Sequence, residues 1–388
     1  MDGKDERETG ERLLRHIDNR STDLAPEMFA NRVTAYCSPE RAAAERVLFR
    51  NQPVFAGLSS RLSRPGDYIA ENIAGMPVLL TRDRDGRLQA FANVCRHRGA
   101  PVAQGCGNAR AFTCPYHGWT YGLDGHLLGT TDRTGFAGLD PATHGLVRLP
   151  AGEAHGLIFV RPHAAIAGEA EHIDVGNHLA GLTDGLDSWG WESFKLHSLD
   201  RLSLDFNWKL VVDTFLESYH IPHLHRRTIA PDFIGNLGTF LEAGPHGRQT
   251  MVRKSILEVD RESDVQHPYR PHVLVLYQIF PNTLVIWVVD HLETWRVFPG
   301  SDPGRCEVEL ALYVPPSDDD AKTQARWEKN RQLTLQTVQD EDFVLCKQMQ
   351  AGFASGAVEQ VIYGRNEPAL IHFHRTLTEV LGERAQVS

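Results

Sequence analysis

Between about Val54 and Pro162 apolar and polar residues alternate in short runs broken by turn signals. Tyr68-Ile69-Ala70 and Val78-Leu79-Leu80 read as strands, and Asp85-Gly86 as the hairpin turn before a returning strand from Leu88 to Val94. Asp124-Gly125 marks a further hairpin and Leu157 to Val160 another strand. A run of ~100 residues with this period is a normal size for a small all-β domain.

From about Ala164 the pattern changes. Leu199 to Leu204 has the character of a strand. Trp208 to His220 carries apolar residues at helical spacing (Leu210, Val211, Phe215, Leu216, Tyr219), and Pro222 then interrupts it. His272 to Val289, Thr294 to Val297 and Val308 to Leu312 read as strands. Ala321 to about Gln350 predicts a long helix without Pro or Gly, and Pro368 opens a last helix reaching roughly Leu381. The first 45 or so residues are polar and partly helical, with a short helix predicted from Ala42 to Phe49. The second half therefore predicts an α+β domain, an antiparallel sheet with helices packed on it.

Composition adds boundaries. The 388 residues suggest about two to three domains, and 41% hydrophobic residues are ordinary for a globular protein. A formal net charge of -10 argues against wholesale nucleic-acid binding. The charged N-terminal stretch lacks the apolar core of a secretory signal. The longest apolar region, Val273 to Val289, is broken by Gln278, Pro281 and Asn282, which argues against a membrane helix and leaves a cytoplasmic location as the expectation. Six cysteines are too sparse for a disulfide framework, and Cys106 reads as a small buried hydrophobe.

Two of the other cysteines stand beside histidines. Cys95-Arg96-His97-Arg98-Gly99 is followed by Cys114-Pro115-Tyr116-His117-Gly118-Trp119. Each hairpin loop offers one thiolate and one imidazole. Four such ligands can hold a structural zinc or a Rieske [2Fe–2S] cluster, with both cysteines on one iron and both histidines on the other. Zinc fingers usually pair like ligands at short spacing, whereas one of each kind per loop suits the split ligation.

A second group lies at Glu217-Ser218-Tyr219-His220-Ile221-Pro222-His223-Leu224-His225. Oxygen activation at non-haem iron(II) calls for two histidines and a carboxylate on one face. Spacing alone allows His220 with His223, although Pro222 between them weakens that pairing. The acidic run Asp340-Glu341-Asp342, taken by itself, reads as a solvated helix face.

Together the two groups resemble the catalytic alpha subunits of Rieske non-haem iron oxygenases, the aromatic-ring-hydroxylating family, with similarity to its choline and carnitine monooxygenase-like branch. The resemblance implies a small all-β Rieske domain over 46–163 and a helix-grip catalytic domain over 164–388, its curved antiparallel sheet covered by helices. A helical segment over 1–45 would pack on the catalytic domain. It implies that Cys95, His97, Cys114 and His117 hold the cluster, with Trp119 covering it, and that His220, His225 and Asp342 hold one mononuclear iron(II). His223 and Asp340 are the alternative ligands. Glu217 takes the place of the acid that carries electrons from a neighbouring subunit's cluster, so a homotrimer is expected. NAD(P)H would act through a separate flavin and iron–sulfur reductase, with or without a ferredoxin. Arg96, Arg98 and Arg110 are candidates for docking it. The implied reaction is mono- or dioxygenation of a small organic substrate, with N- or O-dealkylation where the oxygenated carbon adjoins a heteroatom. Tyr277, Ile279, Val285 and Trp287 are candidate pocket residues. A Rieske electron-transfer protein without oxygenase activity and a zinc-stabilised binding protein are the competing readings.

Overall fold

A computed structural model of the chain describes residues 2–165, 171–183, 185–260, 267–316 and 320–382. The chain divides into two compact units. One spans Val47 to His178; the other combines the residues up to Arg46 with those from Leu179 onward.

The unit from Val47 to His178 is built of short antiparallel sheets. Leu88–Ala92, Met76–Arg82, Asp67–Ile73 and Gly105–Asn108 form a four-stranded sheet in that order. Phe112–Thr113, Thr120–Tyr121 and Leu127–Gly129 form a second sheet, and Ala151–Ala154, Leu157–Val160 and Val54–Leu58 a third. Both predicted hairpin turns are present. At Gly125 φ is +81°, and a Cβ there would fall 2.3 Å from the Phe91 ring, so the turn needs glycine on two counts. Cys106 is a correction: it is exposed, because it lies on an edge strand paired on one side only.

The other unit centres on a seven-stranded antiparallel sheet. Its strands are β1 (Lys195–Leu204), β2 (Phe233–Ala243), β3 (His246–Arg253), β4 (Val273–Ile279), β5 (Thr283–Val288), β6 (His291–Pro299) and β7 (Cys306–Val314), in the spatial order β1-β7-β6-β5-β4-β3-β2. Six helices matter to the site: α1 (Gly3–Asn19), α2 (Trp208–Phe215), α3 (Ile221–Leu224), α4 (Ala321–Thr337), α5 (Phe343–Ala354) and α6 (Pro368–Val380). Helix α1 is amphipathic, with Leu13 and Leu14 buried. Its Gly10 admits the ring of Tyr269, which a Cβ would meet at 2.3 Å. The Glu6 carboxylate accepts the backbone N–H groups of Tyr269 and Arg270 at 2.9 and 2.8 Å.

Two helical expectations need correction. The helix from Trp208 ends at Phe215, well before Pro222. Glu217 ends it, because its carboxylate accepts the backbone N–H groups of Tyr219 and His220 and so competes with helical bonding. Pro222 instead sits in the first turn of α3, where a missing N–H does no harm. The long helix predicted to Gln350 is divided by a π-helical turn over Val338–Asp342, between α4 and α5.

Helix α2 is held from both sides. Asn207 caps it by accepting the Lys209 N–H at 3.1 Å, while its own N–H is bonded to Gln350 of α5 at 2.9 Å. Lys209 is fully buried and donates to both oxygens of the equally buried Glu45 at 2.6 and 2.8 Å; Trp208 donates to the same carboxylate at 2.7 Å. Burial pulls the Lys209 pKa down, and the Glu45 carboxylate opposes that fall. Further along α2, Asp213 accepts from Tyr36 at 2.6 Å and lies 2.8 Å from His374 Nε2 of α6. Asn31 donates to Tyr363 at 3.1 Å, and Tyr363 shares a short hydrogen bond with Tyr36.

Candidate metal centres

The two cysteine–histidine loops are built alike. In the first, the Gly99 N–H donates to Cys95 O at 2.9 Å and the Cys95 N–H to Ala100 O at 2.8 Å. In the second, Gly118 donates to Cys114 O at 3.0 Å and Cys114 to Trp119 O at 2.8 Å. Both glycines have positive φ, +81° and +72°, which reverses the chain behind each histidine.

Cys95 and Cys114 are buried in the core of their unit, with Trp119 and Tyr121. His97 and His117 are half-buried, with ring centroids 4.6 Å apart, and Trp119 stacks on His97 at 5.1 Å. His97 Nδ1 is buried and has no hydrogen-bond partner among the described residues, as an atom meant for a metal should be. The Tyr121 hydroxyl accepts the Arg96 N–H at 3.0 Å and lies 3.3 Å from Cys95 Sγ. Burial alone would raise the Cys95 pKa, but the Tyr121 hydroxyl and nearby N–H groups bring it below the ordinary thiol value. Desolvation, His117 and Arg98 lower the His97 pKa, favouring the neutral ring that binds metal. The donors therefore fit a Rieske cluster.

The second centre joins three elements. Glu217 contacts Nδ1 of His220, which leaves Nε2 of that ring to face the site. Glu341 contacts Nδ1 of His225 and also accepts the Thr228 hydroxyl at 2.8 Å. His220 Nε2 and His225 Nε2 are 3.2 Å apart. Asp342 Oδ1 lies 3.6 and 3.4 Å from them and has no hydrogen-bond partner among the described residues, although it is buried. The ligating atoms of His220, His225 and Asp342 all lie within 4.8 Å of one another. An orphaned buried carboxylate oxygen facing two imidazole nitrogens fits a cation bound by two histidines and one acid.

His223 and Asp340 are both exposed and stand outside this group. Glu341 was not singled out in the sequence, where it is one acid in a run of three. Its role depends on the π-helical turn, which presents residues 341 and 342 to the same histidine.

A cavity of about 440 Å³ adjoins the centre. Its wall includes His220, His225 and Asp342, apolar groups such as Phe215, Phe233 and Met251, and residues of β4 to β6 and α4. From β4 and β5 it takes Leu274, Ile286 and Val288. Tyr277, Ile279, Val285 and Trp287, the candidates from the sequence, do not line it. Strand residues alternate between faces, and these four point the other way; there Tyr277 accepts the Trp189 indole N–H at 2.9 Å.

The family model described as the ring hydroxylating alpha subunit (catalytic domain) matches residues 189–383, and that of the Rieske [2Fe-2S] domain matches residues 52–137. The chloroplastic choline monooxygenase of Spinacia oleracea is 28% identical over 350 residues, 87% of this chain and 74% of its own. The glycine betaine monooxygenase oxygenase subunit of Chromohalobacter salexigens is 33% identical over 192 residues, 49% of this chain and 42% of its own. The crystal structure of the quaternary ammonium Rieske monooxygenase CntA with an inhibitor superposes with a TM-score of 0.77 at 22% identity, covering 94% of this chain and 96% of that one, which speaks for the fold. With one family matched over half its length and the other over the paired Cys–His loops, the chain belongs to the ring-hydroxylating oxygenase alpha subunits, oxidoreductases that carry a Rieske [2Fe–2S] cluster and a mononuclear iron.

Proposed function

We propose that the chain oxygenates a small quaternary ammonium compound in the cavity beside His220, His225 and Asp342. The observation that carries this reading is the charge of the cavity wall. Glu217, Asp232, Asp290, Glu293 and Asp342 contribute carboxylates, against the guanidinium of Arg253 and the imidazolium of His291. The carboxylates outnumber the cationic side chains of the wall, so a cation gains from them where an uncharged arene does not. Phe215 and Phe233 add aromatic faces of the kind that attract ammonium groups. The names of the spinach and Chromohalobacter relatives point to the same class of substrate.

In this reading His220, His225 and Asp342 hold iron(II), and Cys95, His97, Cys114 and His117 hold the cluster, within domains taken as 164–388 and 46–163. Iron with open positions supplies the place where O₂ is activated. Glu217 and Glu341 fix the orientation of the two histidines through their outer nitrogens, so that Nε2 of each faces the metal. The cavity holds the ammonium compound beside the ligands and limits water. One oxygen atom enters a substrate C–H bond and the other leaves as water, with two electrons and two protons taken up. A carbon hydroxylated next to nitrogen or oxygen then collapses to a carbonyl as its bond to that heteroatom breaks, the heteroatom leaving as an amine, an alcohol or water and the hydroxyl proton passing to it or to solvent.

Members of this family work with partner electron-transfer components. Here we take the donor to be an NAD(P)H-dependent flavin and iron–sulfur reductase, acting directly or through a ferredoxin. Glu217 would link His220 to a cluster histidine of a neighbouring subunit in a homotrimer. A cytoplasmic location belongs to the same reading; no helix among the described residues is long and apolar enough to cross a membrane.

The test is substrate-dependent O₂ consumption with a surrogate reductase. Choline, glycine betaine and carnitine should stimulate it, and naphthalene and benzoate should not. Stimulation by the aromatic compounds alone would overturn the substrate assignment.

A further inference from the structure

The cavity wall contains a strained turn. Strands β5 and β6 are joined by Val289 and Asp290, beyond the last ladder pair of Val288 with His291. The Asp290 N–H donates to Val288 O at 2.6 Å, and φ of Val289 is +58°. A hydrogen bond that spans a single residue at positive φ makes a γ-turn of the rare, strained kind. Valine suits it poorly, because a β-branched side chain at positive φ crowds its own backbone. The other non-glycine residues with positive φ among the described residues are Arg20, Ala74, His155, Asn236 and His267, none of them β-branched.

Strain of this kind persists only where the surroundings hold it. Asp290 Oδ1 is 2.9 Å from Nδ1 of His291, and Asp290 Oδ2 is 3.1 Å from Nε of Arg326 in α4. Burial alone would lower the His291 pKa, but Asp290 and Glu293 raise it to about 9, so a charged ring faces the Asp290 carboxylate at neutral pH. Two ionic contacts thus tie the turn to β6 and to α4.

Glycine would make the same turn without strain. What valine adds is a side chain, and this half-buried side chain lines the cavity that adjoins His220, His225 and Asp342. The flanking strands line it too. Ile286 pairs with Glu293 and Val288 with His291, and all four belong to the wall. Two successive rungs of the hairpin therefore face the cavity, and the turn carries the wall past the end of the ladder. The methyl groups of Val289 offer a ligand no hydrogen bond, so they act by occupying space. They do so rigidly, since branching at Cβ restricts χ1.

We infer that Val289 is a specificity-determining residue that closes the cavity at the β5–β6 turn and sets the length of substrate the site accepts. This rests on the proposed ammonium substrate and deepens it with a size limit: the chain carried by the ammonium group must end short of the turn.

The experiment is anaerobic titration calorimetry of the iron-loaded protein with n-alkyltrimethylammonium ions from ethyl to octyl. In the wild-type protein affinity should rise about fourfold for each methylene buried, then fall once the chain meets Val289. In Val289→Gly this turning point should move out by about two to three carbons, the size of the side chain removed. The first chain beyond the wild-type limit should then bind on the order of tenfold more tightly than it does to the wild type. Val289→Ala should move the turning point by about one to two carbons, which keeps the test available should the glycine variant not fold. Val289→Asn separates strain from size, because asparagine tolerates the left-handed region and still fills the space. It should melt a few degrees above the wild type and leave the turning point where it was.

Turning points at one length in the wild type and the shortened variants overturn the inference and leave the ammonium reading standing. An affinity that climbs through octyl in the wild type does the same. A melting temperature of Val289→Asn no higher than that of the wild type overturns the role of strain. Failure of every ion in the series to bind overturns the ammonium reading and this inference with it.

Discussion

Glu341 and Asp342 are neighbours in the chain, and they face opposite nitrogens of one imidazole. Glu341 contacts Nδ1 of His225, while Asp342 Oδ1 faces its Nε2 at 3.4 Å. Successive residues of an α-helix diverge by about 100° around the axis. The π-helical turn at Val338–Asp342 changes that spacing where it is needed, as such turns often do at functional sites. In the proposed site Asp342 would serve as a ligand and Glu341 as the support of His225.

Asp342→Ala should therefore lose bound iron and substrate-dependent O₂ consumption while keeping the EPR signal of the dithionite-reduced cluster. Full activity in this variant would refute the ligand assignment.

Glu341→Gln tests the support. The Thr228 contact and the side-chain volume are kept, but the negative charge on His225 Nδ1 is lost. Iron affinity should fall on the order of 10- to 100-fold, as for other outer-shell partners of metal ligands. The check is a competitive chelator titration. An unchanged affinity would show that Glu341 is a neighbour without influence.

Tyr121→Phe should lower the reduction potential of the cluster. The hydroxyl accepts from Arg96 N–H, so its proton is directed to Cys95 Sγ. Hydrogen bonds to cluster sulfur stabilise the more negative, reduced state. Spectroelectrochemical titration should find a drop of tens of millivolts with the cluster content unchanged. A potential equal to that of the wild type would remove the hydroxyl from the argument.

His291 makes stability depend on alkaline pH. Its folded pKa, about 9, lies above the ordinary histidine value of 6.5. A group raised on folding contributes its stability in full below the unfolded pKa and loses it as pH rises through the folded one. The contribution is on the order of a few kcal/mol. Melting temperature should fall between about pH 7 and 10, and the fall should be reduced in His291→Gln. Equal slopes for both proteins would contradict the assignment.

Glu45→Ala should be strongly destabilising, by about 3–5 kcal/mol, because it strands the buried Lys209 ammonium. Urea denaturation of the iron-loaded protein measures it. The paired change Glu45→Gln with Lys209→Met should recover most of the loss, and a failure to do so would show that the charges are not what matters.

How far the sequence could be read depended on how local each signal was. The cluster loops were legible because each Cys–His pair lies within a few residues on one turn, and the glycine behind each histidine marks the reversal. The run of histidines from His220 to His225 is legible in the same way, but the choice of His225 over His223 comes from the family resemblance. Asp342 was not separable from Asp340 and Glu341 without the family resemblance, because helical periodicity does not announce a π-helical turn. Strands β2 and β3 were missed. In β3, Arg248, Gln249 and Thr250 are buried, so no polar face alternates with an apolar one. The partner that makes burial of Arg248 tolerable is Asp5 of α1, bonded at 2.7 Å from the far side of the chain. The end of α2 was misplaced because Pro222 looked like the breaker, whereas Glu217 ends the helix with its own side chain.

The division of the chain has a consequence for its synthesis. The unit with the paired loops is complete once His178 has emerged, and at 5–20 residues per second it has roughly 8 to 33 seconds before Asp342 is added. The unit with the three proposed iron ligands lacks Asp342 at that time, and the Asp213 network still awaits Tyr363 and His374. Cluster insertion can therefore precede completion of the mononuclear site on the ribosome, and a nascent chain stalled after about residue 220, with His178 clear of the exit tunnel, should already hold a redox-active cluster.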